Sequence, residues 1–345
     1  MMAGRGKRTA LVAGVALLAM ALMAVVYRRE LWESYLRHRW RQISVVALDN
    51  CDPVFRGSGP FGDAVRFLRG NGQERFVLDG LNNCETFGAN HGIVLDPERH
   101  RVYVREMVGG RLLCLDATGR RLFEVPELGA DAVAIDPETG HVWCVIGHDL
   151  HRGSTEVLDV DGSRLATYAV HGCDICFSPF DEAFWVVGHE VTKIDREGEI
   201  ALRMPRRGWA RVAVSPDPRD GAVWIAERDH PDVPGSKNRV LRLSASGQVL
   251  LEIDLGSQDP FAVACDPATG TAWVVSRRDS ILRIDPSGRR LEPLPIPAAC
   301  VAIGAETGHI WAATQTEALR LESDGSVVAR YAFPRLSSQS WIAAR

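Results

Sequence analysis

The chain lacks most of the short motifs that disclose an enzyme. It contains no Gly-x-Ser-x-Gly, no phosphate-binding loop and no His-Glu-x-x-His, so nothing points to a nucleophile elbow, a nucleotide cradle or a zinc protease helix. Gly57-Ser58-Gly59-Pro60-Phe61-Gly62 satisfies a dinucleotide pattern literally. It has no strand-helix-strand context, and Pro60 interrupts it, so it reads as a loop. Positive charge is not in excess either. With a formal net charge of -4, the chain offers no nucleic-acid surface.

Long uncharged runs are absent except at the N-terminus, where Arg5, Lys7 and Arg8 precede Thr9 to Tyr27. At about 1.5 Å per residue this run is just long enough to cross a hydrocarbon core. It reads as a signal sequence, and retention as a transmembrane signal anchor is expected. The small-residue cleavage pattern Ala19-Met20-Ala21 lies inside the run rather than after it. Beyond Arg28 and Arg29, the residues Leu31, Trp32, Tyr35, Leu36, Trp40 and Ile43 fall at helical spacing with Arg37, Arg39 and Arg41 among them. That pattern suits an interfacial helix with an aromatic anchor. The arginines after the run would by themselves keep the main domain cytoplasmic. A short, basic, N-terminal apolar segment is the usual exporting signal, so an extracytoplasmic domain is expected. Residues 1–43 are thus read as anchor and juxtamembrane helix, making few contacts with a domain over 44–345.

Of the eight cysteines, Cys114, Cys144, Cys265 and Cys300 fall inside predicted strands and read as small core residues. Cys51 and Cys84 lie in loop-like sequence and are the pair to consider for a disulfide. Cys173-x-x-Cys176 enters a strand rather than a helix N-terminus, so it carries no redox expectation.

What the chain has in abundance is self-similarity. Asp136-Pro137-Glu138-Thr139-Gly140-His141-Val142-Trp143 recurs as Asp266-Pro267-Ala268-Thr269-Gly270-Thr271-Ala272-Trp273, and again as Ala305-Glu306-Thr307-Gly308-His309-Ile310-Trp311. Looser copies end at Tyr103, Trp185 and Trp224. A second anchor follows each aromatic residue, as in Leu115-Asp116-Ala117-Thr118-Gly119 and Ile284-Asp285-Pro286-Ser287-Gly288. The period of roughly forty residues matches a four-strand unit. Pro and Gly supply the turn geometry, and both faces of the intervening strands are apolar, as in sheets covered on both sides. A degenerate copy begins with Val45-Val46-Ala47-Leu48-Asp49 as its first strand and continues through Val65 to Gly72 as third strand and turn. Its second strand is poorly marked. The fold class is therefore all-β, a β-propeller of four-stranded blades with seven preferred and six the alternative.

This repeat resembles those of NHL and YVTN propellers and of gluconolactonase-like proteins, over roughly residues 45 to 335. The absence of any Trp-Asp dipeptide sets the WD-repeat family aside. The resemblance implies a propeller and leaves function open. Related enzymes place metal ligands or a general base at the channel mouth, but none of their motifs matches here residue by residue.

Function in such a ring is expected where the innermost strands begin and where second strands meet third. Aligning the repeats brings His91, Asp131, Cys173, Ala210, Phe261 and Ala299 to one mouth, with Asp174, Arg211 and Cys300 next and His171, Trp209 and Asp259 nearby. The loops between second and third strands add Arg105, Glu106, His148, His151, His189, Glu227, Arg228, Asp229, His230, Arg277 and Arg278. The ligand-binding candidates are His91, Asp131, His171, Asp174, Trp209, Arg211 and Asp259. Among them His91, Asp131 and His171 are the residue types that would ligate a divalent metal ion. The competing reading is that such loop side chains are merely solvated, and that Asp174 and Arg211 pair across the rim. Two functions follow: a binding or protein-interaction module using the mouth for a protein or small molecule, or a metal-dependent hydrolase or lyase.

Overall fold

The structure is a computed structural model that describes residues 25–51, 63–81, 92–106, 110–147, 153–205, 212–228, 237–276, 279–333 and 337–345. Among these residues the only helix covers 25–40, and everything else regular is β-strand. No described helix is long and apolar enough to cross a membrane. Most of the uncharged run, residues 9–24, lies outside the described residues.

Among the described residues 27 strands form seven antiparallel sheets. Five are four consecutive strands: β4 (Ile93–Asp96) to β7 (Arg121–Val125), β8 (Ala132–Ile135) to β11 (Arg164–Tyr168), β12 (Asp174–Ser178) to β15 (Ile200–Pro205), β16 (Val212–Pro216) to β19 (Val249–Asp254), and β23 (Cys300–Ile303) to β26 (Val327–Ala332). A sixth has three strands, β20 (Pro260–Cys265), β21 (Ala272–Ser276) and β22 (Ser280–Ile284), with isolated bridges Ile281–Leu294 and Ile284–Arg290 where a fourth would run. Pro293 and Pro295 have no N–H to donate to a ladder, which explains why that edge stays irregular.

The remaining sheet corrects the sequence reading. β1 (Val45–Cys51) is its second strand, followed by β2 (Asp63–Leu68) and β3 (Glu74–Leu81); the innermost place is taken by the C-terminal β27 (Ser337–Ala344), with Leu48 opposite Trp341. The missing marker of that repeat is thus nearly three hundred residues away in sequence, where no periodic pattern could reveal it. The innermost strands β27, β4, β8, β12, β16, β20 and β23 touch one another in that order and close a ring.

The aromatic repeat fills the spaces between sheets. Trp143, Trp185, Trp224, Trp273, Trp311 and Tyr103 are all buried. Trp143 stacks on Phe184 of the next sheet at 4.2 Å, and the apolar clusters each span neighbouring sheets rather than one sheet. Asp136 explains the turn that precedes its Trp. Its carboxylate accepts from the Glu138 N–H (3.0 Å) and the Thr139 hydroxyl (2.8 Å), while Gly140 takes φ of 77°, which a side chain would resist.

The helix does not stand apart from the ring. Trp40 and Ile43 are buried in one apolar cluster with Phe67, Leu68 and Ile93, and Trp40 stacks on His100 at 5.7 Å. Arg345 donates to the Trp40 carbonyl (3.1 Å), and its N–H bonds to the Ser44 carbonyl (3.0 Å). The expectation of few contacts therefore fails for the last helical turn. Upstream of Leu36 the helix is exposed along its whole length.

Candidate functional site

The alternation of strands puts two kinds of loop on opposite faces. First-to-second and third-to-fourth turns share the face where the helix is seated, and the starts of the innermost strands share the other, the mouth. His91, Trp209 and Arg211 lie outside the described residues, as do His148, His151, Asp229, His230, Arg277, Arg278 and Cys84. A Cys51–Cys84 bridge falls outside the described residues for the same reason. The other candidates can be placed.

Asp131 and His171 border one glycine-lined seam between the sheets of β8–β11 and β12–β15. Gly147, Gly153, Gly172 and Gly188 let backbones meet there. A methyl group on Gly147 would lie 2.7 Å from the Gly172 carbonyl oxygen and 3.1 Å from Asp131 Oδ2, and one on Gly153 would lie 2.4 Å from His171 Cβ. Both candidate side chains are half-buried. The seam is anchored by main-chain bonds from Asp131 N–H to the Val145 carbonyl and from Cys173 N–H to the Val187 carbonyl, both 2.7 Å.

Asp174 stands deeper. It is fully buried, and its Oδ2 accepts from the Val214 N–H (2.8 Å), tying the start of β12 to β16 in the next sheet. Arg105, at the end of β5 (Arg101–Glu106), is also buried and donates to the carbonyls of Ala130 (3.1 Å) and Asp131. Burial pulls its guanidinium below the ordinary value, and the charges of Asp131 and Asp174 oppose that pull. The three residues thus form one electrostatic group beneath the mouth. Asp259 pairs with Arg228 at 2.6 Å, both half-buried, and Glu227 pairs with Arg239 at 2.7 Å along a strand rung. Among the described residues no three His, Cys, Asp or Glu side chains come together as a metal site.

The cysteine readings follow burial. Cys114, Cys144, Cys265 and Cys300 are buried, as expected of core residues. Cys176 is also buried, and that burial pushes its thiol well up, away from the reactive thiolate.

Sequence reasoning missed the seam glycines, which follow no repeat position, and the role of Arg105 as a donor to two carbonyls. It also missed a cation that the repeat does encode. Lys193, Arg242, Arg283 and Arg320 pair directly opposite Trp185, Trp224, Trp273 and Trp311 on neighbouring strands. The first three lie over their indole rings at 5.3, 5.6 and 5.5 Å. Lys193, Arg283 and Arg320 then donate to the carbonyls of Ala245, Ser323 and Gly70 in the turn of the following sheet. The signal was there to read: each cation stands two residues before the first residue of its own Asp-x-x-Gly-type turn.

Comparison with known proteins bears on the fold. No protein-family model matches the chain, and no curated protein sequence matches it. Among solved structures it is similar to a catalytically inactive variant of virginiamycin B lyase from Staphylococcus aureus with quinupristin, at TM-score 0.56 and 18% identity. The match covers 70% of this chain and 84% of that one. The chain is a β-propeller.

At this level of identity the likeness carries the architecture alone.

Proposed function

We propose that this propeller is a membrane-anchored binding module with NHL/YVTN-type repeats, which takes a protein or small molecule on its mouth face in an extracytoplasmic compartment. The observation that carries the reading is the seam between β8–β11 and β12–β15. Asp131 and His171 stand there half-buried beside close-packed glycines, while the deeper charged groups, Arg105 and Asp174, are held in bonds that join one sheet to the next. Among the described residues such a face presents scattered polar groups on a rigid frame, which suits a partner or ligand laid across it. The uncharged run Thr9 to Tyr27 supports the anchoring, and its basic N-terminal flank supports export.

A second reading is a metal-dependent hydrolase or lyase, drawn from the likeness to a virginiamycin B lyase. In it His91, Asp131 and His171 would supply the ligands, and a divalent ion would polarise the substrate. The two readings part on metal content. Elemental analysis of the full chain, purified in detergent without chelator, is expected to show only substoichiometric divalent metal. One equivalent that is lost in His171→Ala would overturn the binding-module reading in favour of the enzyme.

A further inference from the structure

The helix over 25–40 does more than connect an anchor to a ring, because one side of it and two turns of the propeller form a continuous surface. Val25, Leu31, Trp32 and Tyr35 are exposed by 66, 54, 41 and 44%, a run of large, largely uncovered apolar side chains. They line an open groove of about 690 Å³ whose remaining walls are Arg28, Arg29 and Arg120. Arg120 belongs to the propeller, in the turn between β6 (Arg111–Asp116) and β7, and its guanidinium lies over the Trp32 ring at 5.5 Å. Two carboxylates touch the groove's cations, Glu33 at 2.9 Å from Arg29 and Asp116 at 3.2 Å from Arg120, and Arg28 adds further positive charge. Near Tyr35, Arg75 is held below the ordinary guanidinium value by desolvation and by the positive charges of Arg39 and Arg69. Arg69 and Arg75 flank the turn between β2 and β3. Like charges are thus gathered around the helix from two sheets at once.

We propose that this helix side and the adjoining turns of the first two sheets are a docking surface for an anionic bilayer, which holds the propeller with its turn face on the lipid and its mouth pointing away. The inference rests on the membrane anchoring proposed above and adds an orientation to it. Three observations select the occupant. Val25 to Tyr27, the last residues of the uncharged run, belong to the exposed helix, so the helix shares residues with the segment expected in the hydrocarbon. At about 1.5 Å per residue, Trp32 and Tyr35 lie roughly 8 and 12 Å beyond Tyr27, at headgroup depth for a helix near the membrane normal. Trp and Tyr favour that depth, and arginine beside it favours anionic headgroups. The last helical turn is fixed to the ring by Trp40, Ile43 and Arg345, so the orientation of the helix is passed to the propeller instead of being lost in a linker.

The test uses the full chain in nanodiscs of phosphatidylcholine alone or mixed with phosphatidylserine, read by hydrogen exchange. Amides of the 117–120 and 69–73 turns are expected to exchange several-fold more slowly in the phosphatidylserine discs, with the protection removed by high salt and residues 171–173 unaffected. Arg120→Gln is expected to reduce the lipid-dependent protection by up to about five-fold, and Arg120→Lys to restore it. Equal exchange of the turns in both lipids, with the protein retained in the discs, overturns the docking surface and leaves the anchoring intact. Protein that stays in neither disc overturns the anchoring and this inference with it. Protection that appears in detergent as protein concentration rises identifies a second copy as the occupant and overturns the lipid assignment.

Discussion

The Arg283 guanidinium lies 5.5 Å from the centre of the Trp273 ring and donates a 2.8 Å hydrogen bond to the Ser323 carbonyl, one sheet further around the ring. Two of its nitrogens also reach the Glu292 carbonyl, at 3.0 and 3.3 Å. A single buried cation thereby links the aromatic wedge of one sheet to the turn of the next and to its own irregular edge. Arg283→Met keeps much of the apolar stem and removes every donor. It is expected to lower unfolding free energy by about 2 kcal/mol. Arg330→Met, which breaks an exposed pair with Glu317 at 2.9 Å, is expected to cost less than about 1 kcal/mol. Denaturant titration of both variants checks the contrast, and equal losses would contradict the inter-sheet role of Arg283.

Asp174 makes the corresponding link on the opposite face. Asp174→Ala leaves the buried Val214 N–H without its acceptor and is expected to cost about 2–3 kcal/mol. Asp174→Asn keeps one carbonyl oxygen in place and is expected to recover at least half of that. An alanine variant as stable as the parent would place Asp174 outside the frame and return it to the ligand-binding candidates.

The seam near Asp131 and His171 depends on the absence of side chains. A methyl group on Gly172 would lie 2.6 Å from the Val187 carbonyl oxygen and 2.7 Å from Val186 Cγ1. Gly172→Ala is therefore expected to destabilise by about 1–3 kcal/mol through overpacking, and to shift the His171 imidazole resonances. Unchanged resonances would mean that the seam does not set the position of His171.

Two buried turn carboxylates respond to pH in opposite senses. For Asp217, burial favours the neutral acid, but hydrogen bonds from Arg219 and Arg242 outweigh it and hold the group below the ordinary range. Its contribution is present above the unfolded value near 4 and is lost as pH falls through the folded value. Asp96 is raised, with burial the largest cause and Arg99 opposing it. Its contribution is greatest below the unfolded value and is lost as pH rises through the folded one. The cost of Asp217→Asn should shrink on acidification from pH 7, and the cost of Asp96→Asn should grow. Urea titrations at several pH values measure both slopes, and parallel slopes would contradict the assignment.

How much of this was legible beforehand depended on repetition. The aromatic positions from Tyr103 to Trp311 and the turns before them, some exact and some loose, recur because each sheet meets the same packing problem, so the ring could be read from them. The partner of β1 could not be, because β27 carries no turn signal of its own and pairs across almost the whole chain. The helix seat was missed for a related reason. Trp40 and Ile43 share the helical spacing of Trp32 and Tyr35, yet the first two are buried and the second two exposed, a distinction made by tertiary packing. At the mouth, alignment found Asp131 and His171 near one another, but it ranked Asp174 with them because sequence registers position and not depth.

In the proposed function the mouth is the binding face. A photo-cross-linking amino acid placed singly in the full chain, either at His171 on the mouth or at Ser287 on an exposed turn of the opposite face, tests this. The account predicts a discrete, saturable adduct from His171 and none from Ser287, with the His171 adduct weakened by Asp131→Ala. An adduct that forms from Ser287 and not from His171 would contradict it.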